Sequence, residues 1–243
     1  MESMEELIRL NKFLSDAGVC SRRAADSAIE AGRVYIDGQA AVMGQKITGQ
    51  EEITFDGKLV NNSNKKLVLI AYNKPVGIVC TAEKREKNNI VDHINYPTRI
   101  YPIGRLDKDS HGLILLTNQG DLVNRIMRGS NFHEKEYLVR VDKEVTADFV
   151  EKMSKGIYLT ELEKKTRPCK VTKLSKYTFS IILTQGLNRQ IRRMCSELGY
   201  RVVELKRERI MNIKLGDLKE DTYRDVTEAE LKAMNKMLEG SRN

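Results

Sequence analysis

Tryptophan is absent from this 243-residue chain, aromatic residues make up only 6% of it, and cysteine and proline occur four times each. Cys20, Cys80, Cys169 and Cys195 are far apart and form no C-x-x-C pair, which argues against a zinc knuckle or a disulfide framework. They read as small buried hydrophobes. No window approaches the ~18 consecutive apolar residues of a membrane helix. The first residues are acidic, where a secretory signal would be basic and then apolar. Neither G-x-G-x-x-G nor G-x-x-x-x-G-K-[ST] occurs, which removes the usual dinucleotide and P-loop readings. His93, His111 and His133 lack metal-ligand spacing, so no metal site is expected. These absences lead to the expectation of a cytoplasmic protein that contacts no membrane.

What the chain does have is a basic surplus, 42 Lys and Arg against 34 Asp and Glu, a net charge of +8. A surplus of that size makes polyanions plausible partners. Residues 1–66 hold nine basic and ten acidic side chains, so the remaining 177 hold 33 and 24. Between these parts lies Asn61-Asn62-Ser63-Asn64-Lys65-Lys66, polar and turn-prone, with the composition of a linker. The expected domains are therefore 1–62 and 63–243, each able to bury a core.

In the first part, Leu7, Leu10, Leu14 and Ala17 recur at helical spacing, Gly18 ends that helix, and Ser21 can cap a second one that Gly32 closes. Residues 34–36 and 53–55 read as strands, each followed by Asp-Gly, a two-residue hairpin signal. Arg9, Lys12, Arg22, Arg23 and Arg33 lie on or beside the helices, a pattern that a solvated helical face would also produce. The strings Arg9-Leu10-Asn11-Lys12-Phe13-Leu14, Cys20-Ser21-Arg22-Arg23-Ala24-Ala25 and Gly32-Arg33-Val34-Tyr35-Ile36-Asp37-Gly38 resemble the alpha-L RNA-binding module named after a small-subunit ribosomal protein. That resemblance implies that the two helices present these five cations to the backbone of folded RNA, positioning the protein without reading sequence.

The second part opens on an apolar run, residues 67–72, followed by Asn73-Lys74-Pro75-Val76-Gly77. Strand signals dominate, with helices near 121–128, 144–155, 188–198 and 227–238 and no regular βαβ alternation. The expected class is α+β: the small αα-plus-β module, then a domain with a central, mainly antiparallel mixed sheet flanked by helices. Its most informative stretch is Tyr101-Pro102-Ile103-Gly104-Arg105-Leu106-Asp107-Lys108-Asp109-Ser110-His111-Gly112, which leads into an apolar run suited to a strand covered on both faces. After it, Asn118-Gln119-Gly120-Asp121 reads as a turn and helix cap. Asp107 thus sits on a loop anchored by a rigid strand. Its neighbours allow three readings. Asp107, Asp109 and Gly112 fit three positions of a calcium loop, but Asn118 stands where a bidentate Glu is required. An ordinary ion pair with Arg105 or Lys108 is the second, and a catalytic carboxylate the third.

The whole stretch resembles the catalytic motif of pseudouridine synthases of the small- and large-subunit ribosomal RNA branch. Lys74-Pro75-Val76-Gly77 resembles their first motif, Glu134-Lys135-Glu136-Tyr137-Leu138-Val139 the strand with the active-site tyrosine, and Gln185-Gly186-Leu187-Asn188-Arg189-Gln190-Ile191-Arg192-Arg193-Met194 the basic third motif. Within that branch, Asn88-Asn89-Ile90-Val91-Asp92 and Arg207-Glu208-Arg209-Ile210-Met211-Asn212 are similar to the F type of the large-subunit synthases. The resemblance implies an isomerase that breaks the ribose–nitrogen bond of uridine, turns the base and rejoins it through carbon. Such a reaction is redox neutral and needs no cofactor or energy donor. It further implies Asp107 as the indispensable group, acting at sugar or base or on a ribose proton, Arg192 as its cationic partner, and Tyr137 stacked on a flipped-out base. Arg105 would fill the space the base leaves, and Arg189 and Arg193 would belong to a basic track running from Arg189 to Arg209. If about five of its cations met phosphates, log affinity would fall against log salt with a slope of roughly −3.5. The expected partner is 23S ribosomal RNA, with small-subunit RNA or a transfer RNA stem-loop as alternatives, and the expected enzyme is monomeric. A non-catalytic ribosomal assembly factor is the rival from another class.

Overall fold

The computed structural model describes residues 7–61 and 66–239. The chain divides into two compact units between residues 67 and 68. The expected boundary at 62/63 lies outside the described residues.

In the first unit, α1 (Leu10–Asp16) and α2 (Arg22–Glu30) pack on each other over Leu10, Phe13, Leu14, Ala25, Ala28 and Ile29. The first helix starts later than its apolar spacing suggests, because Ile8–Arg9 pairs as a short strand with Lys46–Ile47. Ser21 caps α2 as expected, its hydroxyl accepting the Ala24 N–H at 3.1 Å. Strands Val34–Ile36 and Ile53–Phe55 pair antiparallel. Both Asp-Gly turns adopt positive φ at both residues, Asp37 and Gly38, Asp56 and Gly57, the geometry that matches strand twist in a tight hairpin.

The second unit is built on one mixed sheet. Its strand order is Lys170–Lys173, Thr178–Leu183, Lys135–Val141, Val202–Ile210, His111–Thr117, Leu69–Lys74, Tyr223–Asp225. Tyr101–Ile103 pairs beside the His111–Thr117 strand and Ile213–Lys214 beside Val202–Ile210. Every pairing within it is antiparallel except the joint between Val202–Ile210 and His111–Thr117. Helices α3 (Ile90–Ile94), α4 (Gly120–Met127), α5 (Ala147–Ser154), α6 (Gln190–Glu197) and α7 (Glu228–Leu238) accompany it, so the α+β class holds. One core gathers Val139, Phe149, Phe179, Ile181 and Met194; another gathers Ile70, Tyr72, Ile90, Ile114 and Leu116. Leu113, Ile114, Leu115 and Leu116 are all fully buried. At roughly 1.5–3 kcal/mol per buried side chain, they make their strand a firm anchor.

The parallel joint demands a glycine. Gly112 has φ +100°, and a Cβ there would lie 2.5 Å from the Arg207 carbonyl oxygen and 2.7 Å from its nitrogen. The two strands approach this closely just where the Asp107 loop ends.

Candidate active site

Four backbone carbonyls in and beside the Asp107 loop are held. Inside it, the Ser110 N–H donates to the Asp107 carbonyl at 3.0 Å. From the segment after Lys74, the Gly77 N–H donates to the Lys108 carbonyl at 2.8 Å. That segment is braced by Lys74, fully buried, whose ammonium donates to the Pro75 and Ile78 carbonyls at 2.7 and 2.9 Å. Burial pushes the Lys74 amine below its ordinary range, while Cys80, Asp109 and Asp107 oppose that shift. Arg207, 1% exposed, donates from Nε to the Leu113 carbonyl at 2.7 Å and lies 3.4 Å from the Arg105 carbonyl through Nη1. One guanidinium thus ties together the backbone on both sides of Asp107.

The cationic partner of Asp107 differs from the expectation. Arg189, not Arg192, lies against it, 3.6 Å from Oδ2. Arg189 also forks onto both oxygens of Asp109 at 3.1 and 2.9 Å and holds that carboxyl below the usual carboxylate range. Arg192 donates to the Asp109 carbonyl at 2.8 Å and the Ser110 hydroxyl at 3.2 Å, with Nε 3.3 Å from the Asp109 carboxylate. The difference is positional. Arg189 caps α6 in the left-handed region, φ 49°, while Arg192 sits nearly a turn further along, level with Asp109 and Ser110.

Asp107, Tyr137 and Arg189 line one cleft of about 420 Å³, together with Arg105, Lys135 and Arg207. Tyr137 faces Arg207 across the strand pair, its ring centre 5.9 Å from the guanidinium carbon. Arg192 lies outside that lining, in a neighbouring depression with Arg193 and Arg201. Arg105 is exposed. Arg193 is ion-paired to Glu161.

The expected basic track is interrupted. Arg207 is buried, and Arg209 is held by Glu134 and Glu136 at 3.0 and 2.9 Å. Lys206 pairs with Glu208 at 2.8 Å, whereas Arg201, 3.8 Å from Asp142, remains 82% exposed. In the first unit Arg9, Arg22 and Arg23 are exposed. Lys12 is paired with Asp16 at 3.3 Å. Arg33 is forked onto Asp56, with Nε at 2.7 Å, and lies over Phe55.

Lys135, Lys74 and the buried position of Arg207 belong to the site without having been expected there. For Lys135 a signal was present: it stands two residues before Tyr137 on a strand and so shares its face. Among the described residues no group of three His, Cys, Asp or Glu side chains is gathered as a metal site, and no helix is long and apolar enough to cross a membrane.

Residues 68–197 match the family model described as RNA pseudouridylate synthase, and residues 8–53 match the S4 domain. A dual-specificity RNA pseudouridine synthase RluF of Salmonella typhi is 51% identical over 96% of this chain and 80% of its own. The ribosomal large subunit pseudouridine synthase B of Bacillus subtilis is 36% identical over 97% and 98%. A crystal structure of a pseudouridylate synthase superposes with a TM-score of 0.69 at 30% identity, covering 93% of this chain and 99% of that one. With the carboxylate, the tyrosine and the arginine-bearing helix of that family's motifs brought to one region of the second unit, the chain belongs to the RNA pseudouridylate synthase family, an RNA-binding isomerase that carries an S4 domain ahead of its catalytic unit.

Proposed function

We propose that this enzyme converts a uridine of 23S ribosomal RNA to pseudouridine, with Asp107 as nucleophile. The observation that carries the reading is the loop clamp: Asp107 stands at the cleft in a loop whose backbone is held by Ser110 at Asp107 itself, by Gly77 at Lys108 and by Arg207 at Arg105 and Leu113, so its carboxylate has a defined direction of attack. Arg189 pairs with the carboxylate, and Arg192 holds the Asp109 carbonyl and the Ser110 hydroxyl behind it. The target base leaves its stack and rests on Tyr137, while Arg105, exposed at the cleft, enters the gap. Arg9, Arg22 and Arg23 of the S4 domain, which stand exposed, meet RNA phosphates, while Lys12, Arg33, Arg189 and Arg193, expected in the same role, are held by Asp16, Asp56, Asp109 and Glu161. The large-subunit substrate is supported by the Bacillus subtilis relative, named for that subunit. The Salmonella typhi relative is named as dual-specific, which favours a second RNA such as a transfer RNA stem-loop. The enzyme is taken to act as a monomer in the cytoplasm, where ribosomal RNA is found.

The test is tritium release from C5-labelled uridine in 23S ribosomal RNA. Wild type is expected to release one equivalent per site, and Asp107→Asn none. Equal release by both rejects the nucleophile; release only from small-subunit or transfer RNA rejects the substrate.

A further inference from the structure

Lys135 is an unusual cation. Its side chain is only 6% exposed, yet among the described residues no hydrogen bond or ion pair holds its ammonium. It lines the same cleft as Asp107 and shares a strand face with Tyr137. Its strand neighbours are Leu183 on one side and Ile210 on the other, neither able to accept a proton. The charged or titratable groups facing it are Arg207 from the Val202–Ile210 strand and His133 on its own segment. The adjacent acids Glu134 and Glu136 are taken by Arg209. Burial, then Arg207, pulls the Lys135 amine down to about 8. An ammonium on a largely buried side chain beside a second cation, with no carboxylate paired to it, favours an anion in the cleft.

We propose that Lys135 is a catalytic residue whose ammonium donates to a carbonyl oxygen of the target uracil and stabilises the negative charge that the ring takes up when its bond to ribose breaks. This rests on reading the cleft as the uridine site. When the N1–C1′ bond breaks, its electron pair stays with the uracil, and the Asp107 carboxylate forms the new bond at C1′. If Asp107 instead adds to the ring, the displaced pair again moves onto a ring carbonyl. Either way the charge that leaves Asp107 appears on the base, and the Lys135 proton stays on Nζ as the hydrogen bond strengthens. When C5 bonds to C1′ the carboxylate is released, C5 loses its proton and N1 gains one, so the balance is that of an isomerisation. A donor aimed at charge present only during reaction raises the rate without tightening RNA binding. Lys135 lines the cleft on the same strand face as Tyr137, the ring on which the base rests, which favours the base as its acceptor.

The experiment measures single-turnover tritium release from C5-labelled ribosomal RNA between pH 6.5 and 9.5, with RNA affinity in parallel. Wild type is expected to slow as pH rises through about 8, where Lys135 loses its proton. Lys135→Met is expected to be about 100-fold slower at pH 7 with unchanged affinity, and to lack that alkaline fall. Lys135→Arg, which keeps its charge at every pH used, restores much of the rate and extends it to pH 9.5. A Lys135→Met enzyme with the wild-type rate, or with the wild-type alkaline fall, overturns the proposal. Release by Asp107→Asn would instead reject the reading of Asp107, a separate result.

Discussion

Arg207 carries its charge where solvent cannot reach it, and the two carbonyls it holds, of Arg105 and Leu113, bracket Asp107. Arg207 reaches the two carbonyls from separate nitrogens of a planar fork, Nε and Nη1, which the compact ammonium of a shorter lysine does not reproduce, so Arg207→Lys is expected to loosen at least one of them. An unsatisfied buried acceptor costs about 1–3 kcal/mol. The expected outcome is a lower melting temperature and at least tenfold slower turnover, with RNA affinity within twofold of wild type, read by thermal unfolding, tritium release and filter binding. Gly112 sets a second constraint at the same joint. Gly112→Ala places a methyl 2.5 Å from a backbone oxygen that cannot move away, in a φ region side chains avoid. It should destabilise the catalytic unit by about 2–4 kcal/mol in urea unfolding. Neither effect can be read from residue type: Arg207 looked like one cation in a basic run, and Gly112 like a loop glycine.

The longer elements were legible because their signals are local. The four helices expected in the second part appear as α4, α5, α6 and α7 within a few residues, and both Asp-Gly turns form. α3 escaped because five residues are too few for a helical period, although Asn89 caps it by accepting the Asp92 N–H at 2.8 Å. The expected cap at 118–121 is arranged differently. Gln119 precedes α4 without a side-chain cap, since Asn118 accepts the Val68 N–H and ties two strands instead. Capping gives tests at this scale. Ser21→Ala should cost about 1 kcal/mol in the S4 domain through its lost α2 cap. In the same domain, backbone N–H groups of Thr48 and Gly49 hold the Glu51 carboxyl down at about 2. Its folded value is depressed, so its stabilising contribution is complete above the ordinary carboxylate range and is lost as pH falls toward about 2. Glu51→Gln should therefore lower the melting temperature at pH 7, and the difference from wild type should shrink on acidification.

Across the whole molecule, the basic surplus divides into charge available to RNA and charge already used. Arg207, Arg209 and Arg192 serve the fold and the Asp107 loop. Arg9, Arg22 and Arg23 in one unit and Arg105 and Arg201 in the other stand exposed. Five such contacts give the salt slope of roughly −3.5 first expected from the track alone, now shared between units. Replacing Arg22 and Arg23 together by Ala should flatten that slope by about 1.4 and leave the single-turnover rate at saturating enzyme unchanged. A slope unmoved by the double variant would return the RNA contacts to the catalytic unit. By itself, the sequence determined the order of units, the helical and hairpin spacings, the total charge and the loop that carries Asp107, because each of these resides in neighbouring residues. Only the tertiary structure decided that Arg189 rather than Arg192 meets Asp107, that Lys135 enters the cleft unpaired, and that Arg207 grips a carbonyl 94 residues away. The physical reason is that a charge acquires its role from burial and from the partner brought to it, and both are set by strands that meet across long stretches of chain.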